Sequence, residues 1–251
     1  MMKSELVEKE LNFWYKKIHT HGFIADDPVQ FPHRYKKRED IEISAFLAAT
    51  IAWGRRDMIL RSAEKMFTLM KPSPYEFVIS GDYKKLKEKN IHRTFFENDL
   101  KYLCIGFKHI YSKYSNMETL FSSAQDIWQG IELFREEMAK ANRNIYSRHI
   151  SNPGKPEKNG SACKRLNLAL RWLVRDKPVD LKLWKSIKPS SLFIPLDVHV
   201  CRTARSLGLL ERKSNDKRAA IELTEKLREF DKDDPVKYDF ALFGMGVTNN
   251  E

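Results

Sequence analysis

The feature that most constrains the fold is the helical spacing of apolar residues along nearly the whole chain. In residues 3–19, apolar side chains recur every three or four positions between charged ones, which predicts an amphipathic helix. Residues 40–52 are apolar on nearly every side, so we expect a helix there to lie at the centre of a core. The sequence contains no long alternating pattern typical of strands and no internal repeat. It therefore predicts an all-α fold.

Proline and glycine divide the rest of the chain into further predicted helices. These helices cover 57–70, several shorter stretches within 75–150, and then 161–175, 176–188, 197–207, 216–230 and 235–245. The clearest loop lies in 147–164, and Gly208 is suited to the left-handed position after a helix. The 251 residues are expected to form a single helical unit or two helical lobes, with lobe A at about 40–150 and lobe B at 1–39 plus 151–251.

The charge and the cysteines narrow the class of protein. Lys and Arg number 45 against 34 Asp and Glu, which gives a net charge of +11. A surplus of this size is compatible with a polyanionic partner, with an acidic membrane surface or with a merely soluble basic protein. The clustering of the basic residues, described below, favours the polyanionic partner. Cysteines stand only at 104, 163 and 201, without C-x-x-C spacing, so neither a disulfide framework nor a cysteine-ligated metal or cluster is expected. No cofactor is predicted. The chain has no apolar signal segment and no membrane-length apolar run, which predicts a cytoplasmic location.

Basic residues cluster on predicted helix faces and at helix starts. Lys164, Arg171 and Arg175 share one face, and His199 and Arg202 lie on the outward face of the next helix. Such clusters suit a phosphate backbone, although a solvated face is the ordinary explanation of a charge run.

Asp197 is an isolated acid among these cations. No other Asp or Glu lies between Asp180 and Glu211. Asp197 stands where a helix begins, so it can be an ordinary N-cap. It can also be a catalytic carboxylate that stabilises a cation forming on a sugar. The two roles are compatible.

Two segments resemble the helix-hairpin-helix DNA glycosylase superfamily. The stretch NGSACK at 159–164 is similar to its G-x-G-x-K hairpin, with Ala162 in place of the second glycine. The stretch PLDVHVCRTARSLGL, beginning at Pro195, is similar to the one that carries the superfamily's catalytic aspartate. The spacing between Lys164 and Asp197 looks like that of the archaeal 8-oxoguanine glycosylase branch. The segments IAWGRR, CKRLN and KYDFALFG also resemble an uncharacterised bacterial family along most of the chain.

The superfamily resemblance implies a helical glycosylase-like fold and a DNA repair activity on duplex DNA with a damaged base. The base would be extruded into a pocket, and 8-oxoguanine is the lesion that the resemblance favours. Lys164 would attack C1′ and form a Schiff base, which also permits AP-lyase strand cleavage, while Asp197 stabilises positive charge on the sugar.

The same interpretation assigns residues to DNA contact. Trp53 either stacks on the extruded base or packs in the core, whereas Trp172 is assigned to the core. Arg55 or Arg56 would fill the gap that the base leaves or bind a phosphate. His199 is either a DNA contact or a partly buried helical residue with a satisfied hydrogen bond. The predicted DNA-binding residues are Arg55, Arg56, Gly160, Ser161, Arg165, Arg171, His199 and Arg202.

The competing hypothesis is a non-catalytic DNA- or RNA-binding protein that retains the glycosylase fold. In that case Lys164 is an ordinary solvated lysine and Asp197 is only a helix cap.

Overall fold

A computed structural model describes residues 2–155 and 158–248, which are mostly α-helical, as the sequence predicts. The α-helices are α1 (Met2–Ile18), α2 (His21–Ala25), α3 (Arg38–Thr50), α4 (Arg56–Leu69), α5 (Pro74–Ser80), α6 (Glu97–Lys113), α7 (Met117–Ser122), α8 (Ile127–Ala141), α9 (Lys164–Val174), α10 (Val198–Ser206), α11 (Lys217–Arg228) and α12 (Tyr238–Thr248).

Two short antiparallel hairpins accompany the helices. They pair β1 (Asn90–His92) with β2 (Phe95–Phe96), and β3 (Gly154–Lys155) with β4 (Lys158–Asn159). Short 3-10 helices cover Pro28–Gln30, Pro32–Arg34, Asp82–Lys85, Pro189–Ser191 and Pro235–Lys237. Within the described ranges, no helix combines the length and the apolarity needed to cross a membrane.

The chain divides into two compact units. One contains residues 24–151, and the other contains the described parts of 1–23 and 152–251. We call them the middle unit and the terminal unit. Residues 24–39, placed with the chain termini in the sequence prediction, lie in the middle unit, where the 3-10 helices at 28–34 pack against α3.

Helix α3 forms the centre of the middle unit, as its apolar sequence predicts. Every residue from Ile43 to Ala49 is buried. Phe46 stacks on Phe134 with ring centroids 5.0 Å apart, and on Phe121 at 5.8 Å. Glu42, a fully buried acid of α3, accepts hydrogen bonds from the Tyr111 hydroxyl and the Met117 amide, at 2.8 and 3.1 Å. A buried carboxylate in an apolar helix is thereby satisfied.

The terminal unit is built around α12, which packs against both α1 and α10. Its core contains Trp172 of α9 and Phe240 of α12, each at most 1% exposed, so the assignment of Trp172 to the core is confirmed. Helices α10 and α11 each begin behind an aspartate cap, because Asp197 accepts the Val200 amide and Asp216 accepts the Ala219 amide.

The prediction of a helix at 176–188 is wrong. The segment forms turns, and its backbone amides are used to close the end of α9. The amide of Leu181 donates to the Trp172 carbonyl at 2.7 Å, and that of Leu183 donates to the Leu173 carbonyl at 2.9 Å. These bonds satisfy carbonyls that a helix leaves open at its C-terminus. Gly208 does adopt the left-handed conformation that the sequence predicts after α10, with φ 72°.

Gly160 lies where two backbone segments come too close for any side chain. A Cβ atom added there would stand 2.2 Å from the amide nitrogen of Gly154 and 2.2 Å from the carbonyl carbon of Pro153. Since both neighbours are backbone atoms, neither can move without opening the hairpin.

We expect Gly160→Ala to lower the free energy of unfolding by about 1–3 kcal/mol through this clash. Urea denaturation followed by circular dichroism measures it. Gly22→Ala is the matched control, because its nearest added contact is Thr20 Oγ1 at 3.7 Å. Equal stability of the two variants would contradict the close approach at Gly160.

Candidate active site

The starts of α9 and α10 bring Lys164 and Asp197 together. Lys164 is the first residue of α9, and Asp197 caps α10 by accepting the Val200 amide at 2.9 Å. The Lys164 Nζ lies 3.3 Å from the Asp197 Oδ2, and the two side chains are 32% and 23% exposed. The two residues singled out by the sequence therefore form a partly open ion pair between two helix starts.

The hairpin before α9 differs from the G-x-G-x-K pattern in the position of its residue with a left-handed backbone. The left-handed backbone falls on Cys163, with φ 48°, and not on Ala162 in the second-glycine position. Cys163 is fully buried, and its amide donates to Ser161 Oγ at 3.1 Å.

The backbone of Gly160 and Ser161 is bonded to the rest of the terminal unit. The Ser161 amide donates to the Asn152 carbonyl at 2.8 Å, and the Gly160 carbonyl accepts the Lys217 amide at 3.0 Å. The amides of Ser161 and Cys163 are thus already used inside the protein, which leaves the exposed Ser161 side chain as the hairpin group nearest to solvent.

Asp239 is a second acid at this site that the sequence analysis did not identify. It lies in the first turn of α12, is 6% exposed, and accepts a short hydrogen bond from Arg171. Burial raises the pKa of Asp239 to about 6, although Arg171 and Lys164 act to lower it and Asp197 adds to the rise. The charges of Lys164 and Asp197 both act on Asp239, so the three groups are electrostatically coupled. The signal in the sequence was a lone acid within the apolar run DFALFGMG.

The prediction that Arg171 lies on an outward DNA-binding face is wrong. Arg171 is 4% exposed and Arg175 is 1% exposed. Arg171 Nε lies 3.4 Å from Asp180 Oδ1, in addition to its bond with Asp239. Arg175 binds Asp180 at 2.5 Å and Asp234 at 2.7 Å. Carboxylates compensate both guanidinium groups, so the cations are stabilised inside the protein.

An aromatic layer covers this buried network. The Arg171 guanidinium lies 4.1 Å from the centre of the Phe240 ring. His19 packs against Phe240 with ring centroids 4.8 Å apart. Burial, aided by the charge of Arg175, lowers the pKa of His19 to about 4. His19 is therefore neutral at pH 7 and adds no charge to the network.

The other predicted DNA contacts of the terminal unit have mixed exposure. His199 is exposed, not partly buried, and its Nδ1 accepts a hydrogen bond from Arg202 Nη2 at 3.1 Å. Arg202 is exposed as well. Arg165 is only partly exposed, and burial lowers its pKa. On α10, the exposed cation Arg202 therefore lies more than one turn beyond Asp197.

Trp53, Arg55 and Arg56 lie in the middle unit. Trp53 is partly exposed, stacks on His149 with centroids 5.9 Å apart, and accepts a hydrogen bond at its carbonyl from His92 Nε2 at 2.8 Å. Arg55 is exposed and binds Asp57 through two nitrogen atoms, each 3.1 Å from a carboxylate oxygen. Arg56 is exposed at the first position of α4.

The described residues contain no group of three or more His, Cys, Asp or Glu side chains that could hold a metal ion. All three cysteines are buried thiols that form no disulfide. Burial raises the pKa of the Cys201 thiol to about 11, so this neighbour of the pair is a neutral thiol at pH 7.

The raised pKa of Asp239 makes stability depend on pH. Its folded-state pKa is above the unfolded value, so its contribution to stability is present below about pH 4 and is lost as pH rises through about 6. We expect the difference in free energy of unfolding between Asp239→Asn and the wild type to change by roughly 3 kcal/mol in favour of the variant from pH 4 to pH 7, because asparagine does not titrate there. This change with pH is separate from the stability that the variant loses because Arg171 has lost a charged partner. Denaturant unfolding at a series of pH values measures the difference.

Asp216→Asn gives the contrasting control. Its hydrogen bond with Arg212 lowers the pKa of Asp216 to about 2, so the stability that it contributes is lost as pH falls below about 4. A profile for Asp239→Asn that runs parallel to the wild type from pH 4 to pH 7 would contradict the buried-acid assignment.

Comparison with known proteins places the chain in one family. No curated protein and no solved structure matches it. A family model described as "Protein of unknown function (DUF2400)" matches residues 27–248. The matched region contains nearly all of the middle unit and residues 152–248 of the terminal unit, with Lys164, Asp197 and Asp239, whereas α1 lies outside it. The chain therefore belongs to the DUF2400 family.

Proposed function

We propose that this protein is a DNA repair glycosylase that excises a damaged base from duplex DNA, with an accompanying AP-lyase activity. The observation that carries the proposal is the contact of 3.3 Å between Lys164 and Asp197, each at the start of its own helix. The pair is partly open to solvent, so a nucleotide can approach it. The resemblance of the two segments to helix-hairpin-helix glycosylases supports the same assignment.

The pair suits a covalent mechanism. Lys164 must lose a proton before its amine can attack, and the Asp197 carboxylate at 3.3 Å is placed to accept it. The amine then forms a bond with C1′ as the bond from C1′ to the base breaks, and the base leaves with the electron pair. The departing base takes up the proton held by Asp197, and the restored carboxylate stabilises the positive charge that develops on the sugar.

The covalent adduct explains the lyase step. Opening of the sugar ring converts the adduct to a Schiff base between Lys164 and C1′. Loss of a proton from C2′ then expels the 3′ phosphate and breaks the strand, and water releases Lys164. The damaged base would be read outside the helix stack, because the reacting bond is out of reach in a duplex. We propose 8-oxoguanine as the base, on the resemblance to the archaeal branch.

A second candidate is a non-catalytic DNA- or RNA-binding protein that retains the glycosylase fold. The net charge of +11 and the exposed Arg202, with the polar His199 beside it, favour binding to a polyanion without requiring chemistry. In that case Asp197 acts only as the cap of α10.

Asp197→Asn separates the two candidates, because asparagine is also a good helix cap but carries no charge. For an enzyme, we expect this change to slow base release by about 100-fold or more while duplex binding survives. Duplexes that contain 8-oxoguanine, uracil or an abasic site, assayed for base release and nicking, provide the measurement.

Lys164→Gln tests the covalent step. We expect it to abolish trapping of the protein on lesion DNA by borohydride, since only an amine forms a reducible Schiff base. Asp216→Asn and Lys217→Gln are the matched controls, because they change the cap and the first residue of α11 in the same way. Both controls should retain base release and trapping.

Three results would overturn the enzyme proposal. They are the absence of base release by the wild type on every duplex, full trapping with Lys164→Gln, and equal loss of activity in Asp197→Asn and Asp216→Asn. Salt-dependent DNA binding that Asp197→Asn leaves unchanged, without any base release, would identify the binding protein.

A further inference from the structure

The middle unit contains a cavity of about 410 Å³ that has no part in the proposed chemistry. It lies among the end of α4, helix α5, the 3-10 helix at 82–85, the extended strap at 86–89 and the start of α6. Its walls are formed by Leu69, Lys71, Phe77, Asp82, Lys85, Leu86, Lys87, Lys89 and Glu97.

The two carboxylates of the cavity are occupied by neighbouring groups. Asp82 accepts hydrogen bonds from the Lys85 ammonium at 2.5 Å and from the Ser80 hydroxyl at 2.9 Å. Glu97 is 5% exposed and accepts the backbone amide of Lys87 at 2.5 Å. Glu97 therefore fixes the strap instead of neutralising a lysine side chain.

The remaining cations of the cavity are available to a ligand. Among the described residues, no hydrogen bond or ion pair engages the ammonium groups of Lys71, Lys87 or Lys89, and all three residues are exposed. The lining thus carries four lysines and two carboxylates, so its net charge is +2. A bound dianion would balance this surplus.

The cavity also has an apolar wall. Leu69 is 37% exposed, and Phe77 and Leu86 are partly exposed. Apolar side chains left open beside cations suit a ligand with a flat ring next to a negative group. The volume lies in the range of small-molecule sites, roughly 300–1,000 Å³.

We propose that this cavity binds a nucleotide, with the terminal phosphate held by Lys71, Lys87 and Lys89 and the base against Leu69 and Phe77. A phosphate monoester is close to a dianion at pH 7, which matches the charge surplus, and lysine ammonium groups are established phosphate donors. The nucleotide can be free in solution or can stand at the 5′ end of a DNA strand, because both present the same phosphate and base.

Isothermal titration of the full-length protein tests this assignment. The probes are AMP, adenosine, inorganic phosphate and a 5′-phosphorylated tetrathymidylate. We expect AMP to bind more tightly than adenosine or inorganic phosphate alone, because only AMP reaches both the cations and the apolar wall. The phosphorylated tetranucleotide distinguishes the two sources, since it displaces AMP only if the cavity also accepts a strand end.

Paired variants localise the binding. Lys87→Gln/Lys89→Gln should weaken AMP binding about tenfold or more, because it removes two charged donors. Lys36→Gln/Lys84→Gln removes the same charge from exposed lysines of the middle unit outside the cavity and should leave AMP binding unchanged. Leu69→Ser should weaken binding of AMP but not of inorganic phosphate.

The proposal is wrong if neither AMP nor the tetranucleotide binds, or if the two double variants weaken binding equally. Base release by Lys87→Gln/Lys89→Gln is measured in parallel. Because these lysines lie outside the Lys164–Asp197 pair, loss of nucleotide binding and loss of base release are separate results.

Discussion

The terminal unit depends on the buried network of Arg171 and Arg175 with Asp180, Asp234 and Asp239. Two guanidinium groups are removed from water along one side of α9, and removal of one partner from such a pair costs about 3–5 kcal/mol. The three acids come from the segment after α9, the turn before α12, and α12 itself. The network therefore ties α9 to α12, and α12 in turn packs against α10, whose cap Asp197 lies beside Lys164.

Most of the helices could be predicted from the sequence, because each buries a face whose apolar residues recur at helical spacing. The segment 176–188 is an exception, since several of its amides bond to carbonyls of α9 and do not form a helix of their own. The burial of Arg171 and Arg175 could not be predicted from the sequence either. Charged residues ordinarily face water, and the acids that compensate them stand as far as 59 and 68 residues away.

The candidate site was predictable only in part. Lys164 and Asp197 could be named because each follows a helix-start motif, and the distance of 3.3 Å between them depends on packing that no motif encodes. Asp239 was missed because its importance comes from burial beside Arg171, which arises only when α12 packs into the unit. The backbone of the hairpin before α9 was likewise not predictable in detail. Its left-handed residue is Cys163, one position beyond Ala162, which stands where the superfamily has its second glycine.

The hydrogen bonds between the hairpin and α11 have a mechanical consequence. The Gly160 carbonyl holds the Lys217 amide, and Ser161 is bridged to Asp216, the cap of α11. The hairpin therefore cannot shift without breaking these bonds or moving the start of α11 with it. Arg205 of α10 donates a hydrogen bond to the carbonyl of Arg212, a few residues before α11, at 2.7 Å. The hairpin and the last turn of α10 are therefore both bonded to the residues that lead into α11.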